Sequence, residues 1–197
     1  MKRNILIALV AAGLAAVFGF TSLGIANDQV TVGQPAPEFE LSDQDGQLHS
    51  LEDYRDRWVV LYFYPKASTP GCTQEGLDFS AAIAKFRRQS CTILGASRDG
   101  LKAQENFKAK QGFPFDLVAD REETLCNAFD VVKMKNMYGK QVRGIERSTF
   151  LIDKDGKLRG EWRKIKVKGH AHDELNNRVD GLGQRKTLRQ RLIRRAL

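Results

Sequence analysis

The sequence is poor in the residues that build disulfide-stapled or fibrous chains. Among its 197 residues are only three cysteines, five prolines and 17 glycines. Three cysteines cannot form the framework of a disulfide-stabilised miniprotein, and the glycine and proline contents exclude a collagen-like chain. The sequence also lacks Cys-x-x-Cys, Gly-x-Ser-x-Gly and a glycine-rich phosphate loop. A hydrophobic content of 42% excludes wholesale disorder and predicts one globular domain with a full-sized core.

The positive charge of the chain lies at its two ends. The formal net charge is +8, of which residues 2–3 contribute two basic side chains. Residues 176–197 hold seven basic side chains and one acid, so residues 27–175 are neutral overall. A nucleic-acid-binding domain carries its excess of positive charge on the folded body. We therefore predict no nucleic-acid partner.

The N-terminus has the pattern of a targeting segment. Lys2 and Arg3 precede an apolar run at 5–20, and the small residues Gly24 and Ala26 follow it. This pattern predicts a secretory signal peptide cut after Ala26. The alternative is an uncleaved membrane anchor, since the run approaches the roughly 20 residues that span a bilayer. Both place the protein in the periplasm or elsewhere outside the cytoplasm, tethered to the inner membrane in the second case.

The C-terminal tail, residues 176–197, has two interpretations. Apolar residues recur between its arginines at near-helical spacing, which is typical of a basic amphipathic helix that contacts anionic lipid weakly. Gly181 and Gly183 favour a solvated extension instead. The short length favours it too, because isolated helices of this length are marginal in water. The domain division is therefore 1–26 for the signal peptide or anchor, 30–175 for the globular domain and 176–197 for the tail.

The apolar pattern between these ends predicts strands that alternate with helices. Residues 58–64 are continuously apolar and rich in β-branched and aromatic side chains, which predicts a buried central strand, and 91–96 predict a second one. Residues 72–88 between them show helical periodicity. Hairpins are predicted around the turns at 43–46 and 154–157. This order predicts an α/β fold with a mixed central sheet, helices on both faces and an N-terminal hairpin.

Three smaller elements complete the predicted domain. Asp99 is expected to cap a helix that ends at Gly112. Residues 115–118 predict a short strand, and residues 122–129 predict a short helix.

Cys72 is the residue with the strongest chemical signal. It follows a predicted strand and lies in the first turn of a predicted helix, with Pro70 and Gly71 before it. Unpaired backbone N–H groups and the positive end of the helix dipole favour a thiolate at such a position. The thiolate is the nucleophilic form of cysteine, so we expect Cys72 to react rather than serve as an inert apolar residue.

The sequence around Cys72 resembles the peroxiredoxins. Residues 65–72 match the pattern Pro-x-x-x-Thr-x-x-Cys, and 64–73 are similar to the longer run of the bacterioferritin-comigratory or Q-type subgroup. Residues 129–131 and 147–153 match as well, so the resemblance covers about residues 30–175. It implies a thioredoxin-like fold, a monomer, and thiol-dependent reduction of hydrogen peroxide and organic hydroperoxides. No metal or other cofactor is implied.

The resemblance also implies a role for four side chains. Cys72 is expected to be the peroxidatic nucleophile, Pro65 to shield it, Thr69 to orient the peroxide and Arg147 to stabilise negative charge beside the sulfur. Two alternatives remain open. Arg147 is next to Glu146 in the chain and could form a surface ion pair with it. The Thr69 hydroxyl could stabilise a turn.

The sequence departs from the family where a second, resolving cysteine is usual. The position five residues after Cys72 is Leu77, and the corresponding place in the next helix is Lys108. Cys91 and Cys126 are expected to be buried structural residues, although they could also pair with each other outside the cytoplasm. We therefore predict a one-cysteine cycle in which an external thiol, a thioredoxin-like protein or a small molecule, reduces Cys72. Cys126 and Cys91 are the alternative resolving residues.

Two other possibilities are weaker. His170 and His172 form a His-x-His pair, but no third metal ligand is recognisable, so no metal site is predicted. A non-catalytic thioredoxin-fold redox sensor, or a client-binding protein that uses Cys72, is the alternative to a peroxidase.

Overall fold

The structure is a computed structural model that describes residues 30–137 and 139–168. The predicted signal peptide or anchor at 1–26, the His170 and His172 pair, the domain end at 169–175 and the basic tail at 176–197 lie outside the described residues. Within the described part, no helix combines the length and the apolarity needed to span a bilayer.

The described chain contains nine strands, three α-helices and one short 3-10 helix. In chain order they are β1 (Glu40–Ser42), β2 (Leu48–Ser50), the 3-10 helix (Glu52–Tyr54), β3 (Trp58–Phe63), α1 (Pro70–Arg88), β4 (Cys91–Ser97), α2 (Leu101–Gln111), β5 (Asp116–Ala119), α3 (Thr124–Ala128), β6 (Val132–Met137), β7 (Lys140–Ile145), β8 (Ser148–Ile152) and β9 (Leu158–Trp162).

The central sheet is mixed, as predicted. Its order is β5-β4-β3-β8-β9, with β3, β4 and β5 parallel and with β8 and β9 antiparallel to their neighbours. Every residue of β3 is buried, because apolar layers cover both faces of the strand. The prediction of a thioredoxin-like α/β fold is confirmed.

Successive residues of β3 point into two separate core layers. Val60 and Tyr62 pack in one layer with Phe79 of α1 and Phe107 of α2. Val59, Leu61 and Phe63 pack in the other layer, whose helical part comes from α3. The parallel strands place their carboxyl ends at one edge of the sheet, and α1 and α2 begin at this edge. The edge is therefore where side chains from several elements meet.

Two local features differ from the sequence prediction. Asp99 does not cap α2: the N-cap is Gly100, and the side chain of Asp99 accepts hydrogen bonds elsewhere. The prediction of an Asp99 cap was wrong by one residue, because an aspartate that binds a neighbouring loop and one that caps a helix look alike in sequence. The hairpin β6–β7 was not predicted, although Val132 to Lys135 alternate in polarity and Gly139 marks the turn.

Candidate active site

Cys72 lies in the first turn of α1, at the carboxyl end of β3. Thr69 is the extended N-cap residue of the helix and Pro70 is its first residue, where the missing proline N–H costs nothing. The side chain of Cys72 is 2% exposed. The N–H groups of a first helical turn have no intrahelical acceptor, and together with the helix dipole they favour negative charge on a sulfur at this place.

The loop that leads into α1 is fixed by a side chain from the loop between β4 and α2. The Oδ2 atom of Asp99 accepts a hydrogen bond of 2.7 Å from the backbone N–H of Ala67 and another of 2.8 Å from the hydroxyl of Ser97. Ser68 adopts a left-handed conformation with φ of 60°, which non-glycine residues rarely do. Asp99 therefore holds a strained loop in place beside Cys72.

Arg147 contacts the sulfur of Cys72. Ser148, the first residue of β8, is paired with Phe63 at the end of β3, so Arg147 reaches the same edge of the sheet. Its Nη2 atom donates a hydrogen bond of 3.2 Å to the Sγ atom of Cys72. Its Nη1 atom forms an ion pair with Glu75, and the ion pair with Glu146 proposed as an alternative does not occur.

Glu75 is a site residue that the sequence analysis missed. It lies three residues after Cys72, so both side chains project from one face of α1. Glu75 is 2% exposed, and its Oε1 atom has no hydrogen-bond partner among the described residues. Burial raises the pKa of Glu75 to about 7, although Arg147 acts in the opposite direction. A carboxyl three residues after a first-turn cysteine was the signal that could have identified it.

The charge of Arg147 is secured by its surroundings. Burial by itself lowers the pKa of this guanidinium, but Glu75 and Cys72 raise it by more, so the pKa lies above its ordinary value. The backbone carbonyl of Arg147 accepts a hydrogen bond of 3.1 Å from the N–H of Ile165. A permanent, positioned cation thus faces the sulfur.

Thr69 and Pro65 lie close to Cys72 in the chain. The hydroxyl of Thr69 donates a hydrogen bond of 2.9 Å to the carbonyl of Lys66, which is the turn contact named above as an alternative. The oxygen of this hydroxyl keeps lone pairs that can accept a further hydrogen bond. Pro65 is half-buried and directly follows the fully buried Tyr64.

The structure brings neither of the other cysteines to Cys72. Cys91 is paired with Trp58 at the far end of β3 and β4, five residues from the edge residues Phe63 and Ala96, a separation of roughly 17 Å along the sheet. Burial raises the pKa of Cys91 to about 12. Cys126 lies in the core layer on the opposite face of the sheet from Cys72, where burial raises its pKa.

The two positions of the missing resolving cysteine hold different kinds of side chain. Leu77 is 39% exposed on the surface of α1. Lys108 lies in α2, and its ammonium forms ion pairs of 2.6 Å with Asp116 and 3.9 Å with Asp45. Lys108 thereby links α2 to β5 and to the loop between β1 and β2.

Comparison with known proteins identifies close relatives of this chain. Residues 32–161 match the model of the AhpC/TSA family. Peroxiredoxin Bcp of Xanthomonas campestris is 56% identical over 139 residues, which cover 70% of this chain and 87% of the relative. Peroxiredoxin Bcp of Bacillus subtilis is 46% identical over 151 residues, which cover 77% of this chain and 96% of the relative.

Solved structures of peroxiredoxins of this type are also similar to this chain. The bacterioferritin comigratory protein of Xanthomonas campestris, studied for its alkyl peroxide reduction, has 49% identity and a TM-score of 0.73. The match covers 79% of this chain and 99% of that one. A cysteine-to-serine variant of PrxQ from Xylella fastidiosa has 43% identity and a TM-score of 0.74, with 78% and 97% coverage.

Proposed function

Because the chain belongs to the AhpC/TSA family, as a thiol-dependent peroxidase of the peroxiredoxin Bcp or Q type, we propose that Cys72 is its peroxidatic cysteine. The observation that carries this assignment is the 3.2 Å contact between the Nη2 atom of Arg147 and the Sγ atom of Cys72. In the part of the chain that the structure describes, neither of the other two cysteines has a guanidinium on its sulfur.

The proposed first half-reaction is a nucleophilic displacement on the peroxide. The thiolate of Cys72 attacks one oxygen of the O–O bond, an S–O bond forms, and the O–O bond breaks with its electron pair on the departing oxygen. That oxygen takes up one proton and leaves as water or an alcohol, while Cys72 becomes a sulfenic acid. The sulfur is oxidised and the peroxide is reduced by two electrons.

Four neighbours support this step in distinct ways. Arg147 offers a fixed positive charge where negative charge develops on the departing oxygen. Thr69, whose hydrogen is directed to Lys66, can accept a hydrogen bond from the O–H of the peroxide. Glu75 is a positioning residue, since it acts on the reaction by holding Arg147 against the sulfur. Pro65 limits the access of water to Cys72 from the loop side.

The second half-reaction uses an external thiol. A thiol attacks the sulfenic acid of Cys72, water leaves and a mixed disulfide forms; a second thiol then releases Cys72. Cys91 lies at the opposite end of the strands from Cys72, and Cys126 lies on the opposite face of the sheet. The protein would therefore have to unfold extensively before either cysteine could replace the external thiol. We propose a one-cysteine cycle. The proposed oxidants are hydrogen peroxide and organic hydroperoxides, as the alkyl peroxide reduction of the Xanthomonas relative suggests.

The intact mass of the purified chain tests this cycle. The fully reduced protein is treated with one equivalent of hydrogen peroxide, with Cys72→Ser as the control. We expect a gain of one oxygen at Cys72, which a sulfenic-acid reagent traps, and catalytic turnover when a thiol is added. A loss of two hydrogens contradicts the one-cysteine cycle, and an unchanged mass contradicts the role of Cys72. Oxidation without turnover by any thiol supports a sensor instead.

We further propose that the enzyme works outside the cytoplasm as a monomer and protects the cell envelope. The support is the basic, apolar and small-residue pattern of residues 1–26, which is typical of a signal peptide. Fractionation of cells that express the full chain tests the location, and the mass of the isolated protein distinguishes cleavage after Ala26 from an anchor. Sedimentation with anionic vesicles, with and without residues 184–197, tests weak membrane contact by the tail.

A further inference from the structure

The ammonium of Lys135 is directed toward the base of the β6–β7 hairpin. Lys135 is paired with Val142, but its Nζ atom donates a hydrogen bond to the carbonyl of Ile145, three residues further along β7. Ile145 is buried and lies two residues before Arg147. The side chain therefore brings its charge to the segment that carries the guanidinium of the active site.

This ammonium lies within electrostatic range of the reacting sulfur. The groups that act on its charge are Arg147, Arg98, Glu146 and Cys72. Burial lowers the pKa of Lys135; Arg147 and Arg98 act in the same direction, and Glu146 and Cys72 oppose them. The charge of Lys135 thus interacts both with Cys72 and with the guanidinium of Arg147 that contacts its sulfur.

The other cations of this region already have carboxylate partners. Arg147 binds the buried Glu75, whereas Arg98 and Arg143 share Glu123. Across residues 30–137 and 139–168, no carboxylate lies within ion-pair distance of Lys135. One N–H of its ammonium is used by the carbonyl of Ile145, and two remain for a ligand.

We propose that Lys135 binds the carboxylate of an organic reactant that comes to Cys72, and so selects anionic reactants over neutral ones. The inference rests on the proposed role of Cys72 and deepens it, because it names the reactant class that the site prefers. A carboxylate can enter the site on an organic hydroperoxide or on a small thiol reductant. Either source would place its charge on the ammonium and its reacting atom at the sulfur.

Matched acids and esters test the inference. In the first arm, a hydroperoxy fatty acid and its methyl ester oxidise reduced protein, and stopped-flow kinetics give both rate constants. In the second arm, 3-mercaptopropionate and its methyl ester reduce the sulfenic acid of Cys72. The variant is Lys135→Gln. The matched control is Lys133→Gln, on the same face of β6, where the ammonium is bound at 2.5 Å to Asp130.

We expect the acid-to-ester ratio of rate constants to fall roughly tenfold in Lys135→Gln, as for the loss of one charge-assisted hydrogen bond. The ratio should be unchanged in Lys133→Gln and restored in Lys135→Arg. A fall in the first arm identifies the hydroperoxide as the source of the carboxylate, and a fall in the second identifies the thiol.

Two results overturn the inference. One is an unchanged ratio in both arms. The other is an equal fall for acid and ester, which would mean that Lys135 acts on Cys72 or on the fold rather than on the anion. If wild-type protein reacts with no hydroperoxide at all, the role of Cys72 fails instead, so the two failures are distinguishable.

Discussion

Arg147 donates a hydrogen bond of 3.2 Å to the sulfur of Cys72, a residue 75 positions earlier in the chain. The same guanidinium forms an ion pair with Glu75, one helical turn after Cys72. A fork of planar donors can serve two acceptors at once, which a lysine ammonium on a flexible stem does less well. In the proposed mechanism, these two contacts fix the cation relative to the sulfur before any peroxide arrives, so the cation needs little reorganisation during the reaction.

Replacement of Arg147 should slow oxidation of Cys72. We expect Arg147→Met to lower the second-order rate constant with hydrogen peroxide roughly 100- to 1,000-fold, the usual effect of removing a charge-stabilising donor. Because this variant also leaves the buried Glu75 without its cation, it should lose about 3 kcal/mol of stability as well. Arg147→Lys, which keeps the charge, separates the two effects: it should remain folded and still lose roughly tenfold in rate. A wild-type rate in Arg147→Lys would contradict the role of the fork.

Glu75 should make the stability of the protein depend on pH. Its pKa in the folded protein is about 7, above the ordinary value of 4.5. Between these pH values the folded state holds a proton that the unfolded state releases, so the contribution of Glu75 to the free energy of unfolding falls as the pH rises. In Glu75→Gln this fall should disappear. Urea denaturation of both proteins at pH 5 and pH 8 measures it, and equal pH dependence in the two proteins would argue against a buried, titrating Glu75.

Peroxide should modify one cysteine of the three. Cys91 and Cys126 are buried, and burial raises the pKa of both thiols, so neither is expected to ionise near neutral pH. Cys72 is equally buried but faces the guanidinium of Arg147. Peptide mass spectrometry after sulfenic-acid trapping should find the label on Cys72 in wild type, Cys91→Ser and Cys126→Ser. A disulfide that joins Cys72 to either of the others would refute this prediction.

Asp99 should stabilise the loop before Cys72 without contacting the cysteine itself. Asp99→Ala removes the acceptor of the Ala67 N–H and of the Ser97 hydroxyl, which should cost about 1–2 kcal/mol of stability and lower the rate with peroxide. Asp99→Asn keeps one carbonyl oxygen in the same place, so its loss in rate should be smaller. Rate constants and urea unfolding of the two variants give the comparison, and equal rates in wild type and Asp99→Ala would rule out an anchoring role.

Local patterns were sufficient for much of the secondary structure. The apolar run at 58–64 and the helical periodicity of 72–88 predicted β3 and α1, because burial on two faces and on one face leaves distinct signatures in a sequence. The helix after Asp99 was also predicted, with its end at the left-handed Gly112. Its N-cap was placed one residue early, and the alternating polarity of β6 was overlooked.

The sequence by itself determined where the proposed nucleophile lies, because the strand, the turn and the first helical turn that present Cys72 are contiguous in the chain. Only the tertiary structure decided what surrounds it. The register that pairs Ser148 with Phe63 delivers Arg147 to the sulfur, and the parallel pairing of β3 with β4 keeps Cys91 at the opposite edge. Such contacts depend on strand order and register across many residues of chain, and no local periodicity records them. For the same reason, the ion pair that joins Glu75 to Arg147 became visible only in the folded protein.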